Sequence, residues 1–509
     1  MKLKLCLLII LMFYVWTATV GRGDFQLYVN HPSYYALLTD AFLAGKPHLL
    51  IEPSPQLLAL SDPYDPNQNG PYRLHDASLY KGKYYLYFGI TPVLTLLLPY
   101  KLITGNNMPD GFAIFFFSFG GFLWSVAFLL FLQRKYFQEV KEWKILLSIV
   151  VLGFANVAPF LLRFIAVYDV AISCGLFFLT GALYLFSRAF SNSNLSISLI
   201  ILGSLFLGLA SGARPHFIVV GAIVVGTIVL LVYLKSIQQK AGLKARIKTC
   251  LALLTPFALC LVLIVAYNYS RFDNPFEFGS SYQLAAEDYR HAKKLDFRRI
   301  GPGLYFYLMQ KPTINIHFPY FHLFPSSVYL FHSNPSLPTP PEFPIPVPAP
   351  YRLEKVVGVF TGIPFTLLII IGALFYFKRI SLGSKNLHKI IFPIYEFSIL
   401  MLTAVSSIII VSLLFGATMR YVADFATLLI LGSCIIWFYF DSVLDLNSKY
   451  RMFLKYFSIV TAICSILFGI SFSITGYYDE LRGHNLQEYE KIESWFKPLS
   501  MVLSKWFHR

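Results

Sequence analysis

Eleven apolar segments, each long enough to cross a lipid bilayer as a helix, recur along this 509-residue chain. A crossing helix needs about 20 apolar residues. Segments of this kind lie at residues 3–20, 111–132, 145–162, 168–187, 195–212, 216–234, 251–268, 355–377, 390–415, 421–440 and 456–474. Only 13% of the residues are charged, about half the usual fraction in a soluble protein. This pattern excludes a soluble enzyme, a nucleic-acid-binding protein and a disordered scaffold as descriptions of the whole chain. It predicts an all-α polytopic membrane protein with about 11 transmembrane helices.

The distribution of basic residues predicts the orientation of these helices. Residues 88–104 are apolar but contain Pro92 and Pro99, so we predict a re-entrant or juxtamembrane segment there. If the eleven segments cross, the short basic loops all fall on one side of the membrane, at residues 134–144, 235–248, 378–389 and 449–455. The long loops 21–87 and 269–354 fall on the other side. By the positive-inside rule, the short loops and the N-terminus are cytoplasmic.

The predicted spans and loops divide the chain into five parts. We expect an N-terminal transmembrane module at 1–190, middle helices at 191–268, an outer loop at 269–354, C-terminal helices at 355–474 and an outer tail at 475–509. The net charge of +16 reflects the basic cytoplasmic loops, so no nucleic-acid partner is expected. All six cysteines lie in or beside apolar segments, which predicts neither a disulfide framework nor a zinc site.

Three aspartates of the first long loop are candidate catalytic residues. Asp24 follows the first apolar segment closely, and a partly desolvated carboxylate there would act as a general base on an acceptor hydroxyl. Asp40 lies on the polar face of a short amphipathic helix predicted over residues 34–45, where an ordinary solvated side chain is the alternative. Asp76 follows His75 just before a basic and aromatic patch. Asp62 and Asp65 each precede a proline, which is typical of turns.

The basic and aromatic patch leads back to the membrane and is a candidate binding surface for substrate. Its members, with the histidine before it, are His75, Lys81, Lys83, Tyr84 and Tyr85. Such a patch would hold a phosphate at headgroup depth, while a belt of interfacial tyrosines and lysines is the alternative. Arg271, at the start of the second long loop, would face a sugar or form part of a structural cap.

Arginines at the outer ends of predicted helices oppose the charge bias, so each needs a partner. A phosphate-bearing lipid is one candidate partner for Arg214 and Arg420. Ion pairs are the alternative: Arg163 with Asp169, and Arg420 with Asp424 four residues later on one helix. Asp169, Arg214 and Arg420 are therefore candidate substrate-binding residues.

These features together resemble the GT-C glycosyltransferase superfamily, in particular the protein O-mannosyltransferases and the lipid A aminoarabinose transferases. They also resemble a set of uncharacterised bacterial membrane proteins. Residues 34–45, Tyr-Tyr-Ala-Leu-Leu-Thr-Asp-Ala-Phe-Leu-Ala-Gly, look like the helix and glycine that follow the catalytic acid of that superfamily. Residues 83–92, Lys-Tyr-Tyr-Leu-Tyr-Phe-Gly-Ile-Thr-Pro, look like its re-entry motif. The resemblance covers mainly residues 1–190. It assigns the catalytic acid to Asp24, while Asn30-His31-Pro32-Ser33 replaces the acidic pair usual in the superfamily.

The resemblance implies an inverting hexosyl or pentosyl transferase in the bacterial inner membrane. It would move a sugar from a polyprenyl-phosphate donor to an outer-face acceptor, which would be a glycolipid, a glycan or a protein. Lys83, Arg214, Arg420 and His75 would stabilise the departing phosphate. We assign no cofactor; some members use a divalent metal, and the sequence presents no metal-ligand set. The alternatives are a polysaccharide polymerase or ligase, a lipid-linked glycan transporter or flippase, and a non-catalytic assembly protein.

Overall fold

A computed structural model describes the chain except residues 26–32, 192–194, 239–241, 291–294, 382–391, 415, 444–448 and 508–509. Parts of two basic loops and most of the Asn-His-Pro-Ser segment therefore lie outside the described residues. The apolar segments are helical because a backbone in hydrocarbon must satisfy its hydrogen bonds internally. Among the described residues, eight helical segments are long and apolar enough to cross a membrane: Asp110–Tyr136, Glu142–Arg163, Val167–Ala189, His216–Tyr233, Leu243–Phe272, Ile394–Ser412, Met419–Val443 and Lys449–Thr475. The prediction of an all-α polytopic membrane protein is confirmed.

Twenty α-helices lie in the described part of the chain. Those of the first half are α1 (Lys2–Ala18), α2 (Tyr34–Leu43), α3 (Pro55–Leu58), α4 (Pro66–Asn69), α5 (Leu98–Thr104), α6 (Asp110–Tyr136), α7 (Glu142–Phe154), α8 (Ala158–Arg163), α9 (Val167–Ala189), α10 (Ile197–Ala213), α11 (His216–Gln238) and α12 (Leu243–Phe272). Those of the second half are α13 (Ile300–Leu308), α14 (Val359–Gly362), α15 (Leu367–Ser381), α16 (Ile394–Ser412), α17 (Met419–Val443), α18 (Lys449–Thr475), α19 (Glu480–His484) and α20 (Leu486–Phe507).

Three of the eleven predicted crossings correspond to shorter helices, so the number eleven stays a prediction. They are α1 and α10, with 17 residues each, and the segment Pro364–Phe375. The expected start of one crossing, at residue 355, is wrong: Tyr351–Val356 is a β-strand and α15 begins only at Leu367. The predicted re-entrant segment contains a short apolar helical stretch, Val93–Thr104, whose first part, Val93–Leu97, is π-helical.

Helices α9 and α17 form the centre of the bundle and are its most buried spans. Helices α6 and α10 pack on α9, while α15 and α16 pack on α17. Small residues let these neighbours approach closely. A Cβ atom at Gly181 of α9 would meet the ring of Phe206, and one at Gly432 of α17 would meet the side chain of Met401. The central helices are therefore fixed tightly against their neighbours.

Both long loops carry short β-structure. The strands are β1 (Ser78–Tyr80), β2 (Lys83–Tyr85), β3 (Thr313–Ile314), β4 (Phe321–His322), β5 (Phe324–His332), β6 (Tyr351–Val356) and β7 (Gly416–Ala417). Strands β1 and β2 form an antiparallel hairpin, in which Lys81 and Gly82 have φ angles of 48° and 71°. Two consecutive positive φ angles are typical of a type I′ turn. Strand β6 pairs antiparallel with β5 and parallel with β7.

The long loops meet the bundle at one end, which we call the loop end. There α1 ends at Ala18, while α9, α11 and α17 begin at Val167, His216 and Met419. Strand β7 precedes α17 by a single residue, so its pairing with β6 brings the second loop directly to the start of this central helix. The polar residues of both loops are therefore gathered around the first turns of α9 and α17.

Candidate active site

Arg420 lies at the centre of a polar site at the loop end. It is the second residue of α17, and its side chain is 12% exposed. Its guanidinium forms an ion pair with Glu354 of β6 and lies over the ring of Tyr168, 3.7 Å from the centroid. The ring of Tyr477 lies 5.1 Å away. Arg420 is thus a nearly dehydrated cation in contact with two aromatic rings.

A chain of alternating charges extends from Arg420 into the second loop. The Nε atom of Arg352 lies 3.5 Å from Oε1 of Glu354, and its Nη1 lies 3.8 Å from Oε1 of Glu287. The Tyr477 hydroxyl donates to Oε2 of Glu354 at 2.6 Å. Burial alone would raise the pKa of Glu354, but the Arg420 charge and the Tyr477 hydroxyl outweigh it and lower this pKa. Glu354 is therefore ionised at neutral pH.

Asp76 presents a carboxylate on the first-loop side of the site. Its side chain is 22% exposed, and Oδ1 accepts a hydrogen bond from the Gln283 amide at 2.8 Å. The Nε2 atom of His75 lies 3.7 Å from the other carboxylate oxygen. Asp76 has a φ angle of 62°, a left-handed conformation that is uncommon outside glycine and clusters at functional sites.

Two tyrosine hydroxyls lie within electrostatic range of both Asp76 and Arg420. Burial raises the pKa of Tyr87 well above its usual value; the Asp76 charge adds to this shift and Arg420 opposes it. Both charges also act on the Tyr168 hydroxyl. On the outer side, burial raises the pKa of Tyr34 and Tyr289, again with a contribution from Asp76. Asp76 and Arg420 therefore belong to one tyrosine-lined site.

Asp424 forms a second cluster one turn further along α17. Its Oδ1 lies 3.1 Å from Nη1 of Arg214, and its Oδ2 lies 3.4 Å from Nε2 of His216. The Arg214 guanidinium lies over the ring of Tyr421 at 4.9 Å. The expected pair of Arg420 with Asp424 is wrong, because β6 supplies Glu354 to Arg420 while the turn between α10 and α11 supplies two other partners to Asp424.

Asp169 is buried in the first turn of α9, behind Tyr168. The charges of Arg420 and Arg214 act on its carboxylate, and Oδ1 has no hydrogen-bond partner among the described residues. The expected ion pair with Arg163 is wrong. The Nε of Arg163 donates to the Ser473 carbonyl, and its guanidinium lies 4.7 Å from the Trp16 ring, so it faces α18 and α1 instead.

The other predicted residues lie apart from this site in structural roles. Asp40 forms an ion pair with Lys101 and accepts from the Asn107 amide at 3.3 Å, so it is not a simply solvated side chain. Lys81 forms an exposed pair with Asp273 at 2.6 Å. Arg271 donates to the Leu86 carbonyl at 2.6 Å, as the alternative of a structural cap requires.

The remaining members of the basic and aromatic patch divide by exposure. Lys83 and His75 are exposed at the surface, whereas Tyr84 and Tyr85 are buried in the hairpin. The Tyr84 hydroxyl accepts from the Leu74 backbone N–H at 3.3 Å, and the Tyr85 ring lies 5.3 Å from that of Phe272. The rings therefore stabilise the loop rather than line an open surface.

Asp24 occupies an exposed turn that follows α1. Its neighbour Arg22 donates to the His484 carbonyl, which ties this turn to the C-terminal helices. The charges that act on Tyr87 and Tyr168 include that of Asp76. Across the described residues, no three His, Cys, Asp or Glu side chains are grouped so as to hold a metal ion.

Comparisons with known proteins give similar solved structures. No family model matches the chain, and no curated protein matches it in sequence. The oligosaccharyltransferase of Archaeoglobus fulgidus in its apo form has a TM-score of 0.49 at 14% identity, over 93% of this chain and 56% of that one. ArnT from Cupriavidus metallidurans bound to undecaprenyl phosphate has a TM-score of 0.44 at 10% identity, over 95% of this chain and 77% of that one. Both are GT-C membrane glycosyltransferases. The chain spans just over half the length of the archaeal enzyme.

Sequence reasoning missed several groups of the site, among them Glu287, Arg352, Glu354 and Tyr477. One signal was available for two of them. Residues 351–354 read Tyr-Arg-Leu-Glu, and such alternation predicts a strand with Arg352 and Glu354 on one face. The buried Tyr351 and Leu353 occupy the opposite face, as this pattern requires. The chain offers no comparable local signal for Tyr477 or Glu287.

Proposed function

We propose that the protein is a membrane glycosyltransferase that takes its sugar from a lipid-linked donor. The observation that carries this proposal is that the partly exposed carboxylate of Asp76 and the nearly buried cation Arg420 both lie within electrostatic range of Tyr87 and Tyr168. This arrangement offers a proton acceptor and an anion partner at the membrane boundary, where a lipid phosphate and a polar acceptor can meet.

Asp76 is the proposed general base. The acceptor hydroxyl attacks the anomeric carbon and gives its proton to Asp76, while the bond from that carbon to the phosphate oxygen of the donor breaks and the lipid phosphate leaves. The Gln283 amide N–H already donates to one carboxylate oxygen of Asp76. An acceptor hydroxyl would donate to this carboxylate in the same way. Asp76 replaces Asp24 and Asp40, the other two catalytic candidates that the sequence indicates, in this role.

The cations of the site suit the departing lipid phosphate. Arg420 and Arg352 would neutralise the departing phosphate, because each carries a guanidinium at the edge of the site. Lys83 is exposed on the hairpin, and Arg214 belongs to the second cluster around Asp424, so neither is retained for this role. Asp169 is buried in the first turn of α9, so no contact with the sugar is assigned to it.

A transporter is the less favoured function. In the eight long spans, every described Asp, Glu, Lys and Arg lies within about two turns of a helix end, whereas transporters place such groups near the bilayer midplane. A polysaccharide polymerase or ligase would use the same site with a lipid-linked glycan as acceptor. We further propose a bacterial inner membrane, with the short basic loops cytoplasmic and the loop end outside.

The test is mass spectrometry of envelope glycolipids, glycans and proteins from a strain lacking the protein, complemented with variants. Wild type should restore a sugar that the deletion removes, and Asp76→Asn should restore it at least 100-fold more slowly, because base removal typically costs 10²–10⁴ in rate. Asp273→Asn, an exposed acid of the second loop, is the matched control and should behave as wild type.

Two outcomes would contradict the proposal in different ways. If Asp76→Asn restores the sugar fully while Asp24→Asn does not, transfer stands and the base is Asp24. If the deletion instead leaves an intact lipid-linked glycan on the inner leaflet, the protein moves lipid-linked glycans and transfers no sugar.

A further inference from the structure

The C-terminal helix α20 begins at the level where the membrane-spanning helices end. The Asn485 side chain donates to the carbonyl of Val20, two residues beyond α1, at 2.8 Å. The indole N–H of Trp16 in α1 donates to Glu488 at 3.4 Å. Together with the short connection from the end of α18 at Thr475, these bonds fix the start of α20 beside the loop-end termini of two apolar helices.

The middle of α20 stays close to that level instead of projecting away from the bundle. The ring of Phe496 stacks on Phe318 at 5.2 Å, and the Tyr320 hydroxyl donates to the Phe496 carbonyl at 3.0 Å. The next residue, Phe321, packs against Phe468 at 4.5 Å, and Phe468 lies two turns before the end of α18. The helix is therefore tied to a loop that reaches the apolar surface of a spanning helix.

One apolar stripe runs along α20, and only part of it is covered. Tyr489 and Ile492 are buried in a small cluster with Phe318, whereas further along the stripe Trp495 is 64%, Leu499 47% and Val502 52% exposed. Residues at spacings of three and four share one helix face. Glu490, Ser494 and Lys497 lie on the remaining surface of the helix, together with the exposed Met501. Three large apolar side chains on one face are typical of a contact surface.

We propose that α20 is an interfacial helix whose stripe of Trp495, Leu499 and Val502 is buried in the lipid leaflet at the loop end. The lipid is favoured as occupant because the bilayer already covers the exposed apolar side chains of α18, among them Ile463 and Leu467, and α20 begins where that surface ends. Apolar residues with a Trp on one face and polar residues on the other are typical of such helices.

The charge of α20 predicts how it selects lipid. Between Leu486 and Lys505 the helix carries three glutamates and three lysines, at positions 488, 490 and 493 and at positions 491, 497 and 505. The formal charges cancel, so burial of the apolar stripe is the driving force and anionic headgroups add little. The binding should therefore not require an acidic lipid.

The test places a photo-cross-linking benzoylphenylalanine at single positions of the full-length protein in phosphatidylcholine nanodiscs. Positions 495, 499 and 502 should yield adducts with the mass of the lipid, at least tenfold more than the control positions 490, 494 and 497 on the polar surface. Position 463 on α18 serves as the positive control. Adding 30% phosphatidylglycerol should leave the yield unchanged within twofold.

Three results would overturn the proposal. Cross-linked dimers from positions 495 and 499 would assign the stripe to a second copy of the chain. Equal lipid adducts from both faces would indicate no preferred orientation, and adducts from position 463 alone would place α20 in water. If a labelled protein does not elute as wild type does, the label is placed at Leu503 on the same stripe instead, so the comparison remains decisive.

Discussion

Arg420 keeps its charge at the membrane boundary because protein groups replace the water that it loses. The Glu354 carboxylate supplies the opposite charge, and the rings of Tyr168 and Tyr477 supply electron-rich faces. A buried pair of this kind adds little stability over apolar residues of the same shape, but loss of one partner leaves the other charge uncompensated. Removal of Glu354 is therefore destabilising mainly because it would leave the Arg420 charge buried without a counter-ion.

We predict that Glu354→Gln destabilises the protein by about 3 kcal/mol, because it leaves a buried guanidinium without its counter-ion. The apparent melting temperature in detergent should fall by several degrees. Asp273→Asn, which breaks the exposed pair with Lys81, is the control and should not change the melting temperature. An equal response of the two variants would show that Glu354 and Arg420 are solvated.

Strand β6 is the element that positions the charged residues of the site. It positions Arg352 and Glu354 on one face and buries Tyr351 and Leu353 on the other. Its parallel pairing with β7 sets its distance from the start of α17. That pairing is close: a Cβ atom at Gly416 would collide with the carbonyl oxygen of Arg352. Glycine is needed here for close approach of two backbones, not for an unusual φ angle.

We predict that Gly416→Ala shifts β6 away from α17 and lowers sugar transfer at least tenfold, with a loss of about 1–3 kcal/mol of stability as in other overpacked sites. The matched control is Gly301→Ala in α13, where a Cβ atom meets nothing within 4 Å. Transfer is measured as envelope sugar restored by complementation, and stability by melting in detergent. If Gly416→Ala behaves like Gly301→Ala, the spacing of β6 and α17 does not position the site.

The helices could be predicted from the sequence, whereas most of the site could not. Hydropathy marks a spanning helix within one continuous segment, which is why the predicted 168–187 and 421–440 fall inside α9 and α17. The site depends on contacts between distant positions: Arg420 meets Glu354 across 66 residues, and Gln283 meets Asp76 across 207. Periodicity carries no information about such pairs. Arg420 was singled out by its misplaced charge, but its partner was not.

The carboxylates of Glu354 and Glu480 make the stability of the whole protein depend on pH in opposite directions. The lowered pKa of Glu354 means that its contribution is present above its ordinary pKa of 4.5 and is lost as the pH falls below it. Burial raises the pKa of Glu480 from 4.5 to about 7, although its Oε1 accepts from the Tyr477 and Tyr478 backbone N–H groups. The folded chain then holds a proton that the unfolded chain has lost, so stability falls as the pH rises from 4.5 to 7.

We predict that Glu480→Gln removes part of this loss on the alkaline side. Wild type should lose about 3 kcal/mol from this group between pH 4.5 and pH 8, since one pKa unit corresponds to about 1.4 kcal/mol. The glutamine variant should therefore show a flatter fall in melting temperature across that interval. Glu490→Gln, an exposed glutamate of α20, is the control and should keep the wild-type slope. Parallel profiles for all three proteins would contradict the prediction.

The separation of the paired residues along the chain also dictates when the site can form during biosynthesis. Asp76, Gln283, Glu354 and Arg420 leave the ribosome in that order, and the last of them opens the central helix α17. Until α17 has been inserted, β6 lacks β7 and Glu354 lacks its cation. Both loops are therefore translated before their partners in α17 exist. They can assemble with α17 only after more than three quarters of the chain has been made. Tyr477, which follows α18, is added to the candidate site later still, so the site is completed only with the last spanning helix of the bundle.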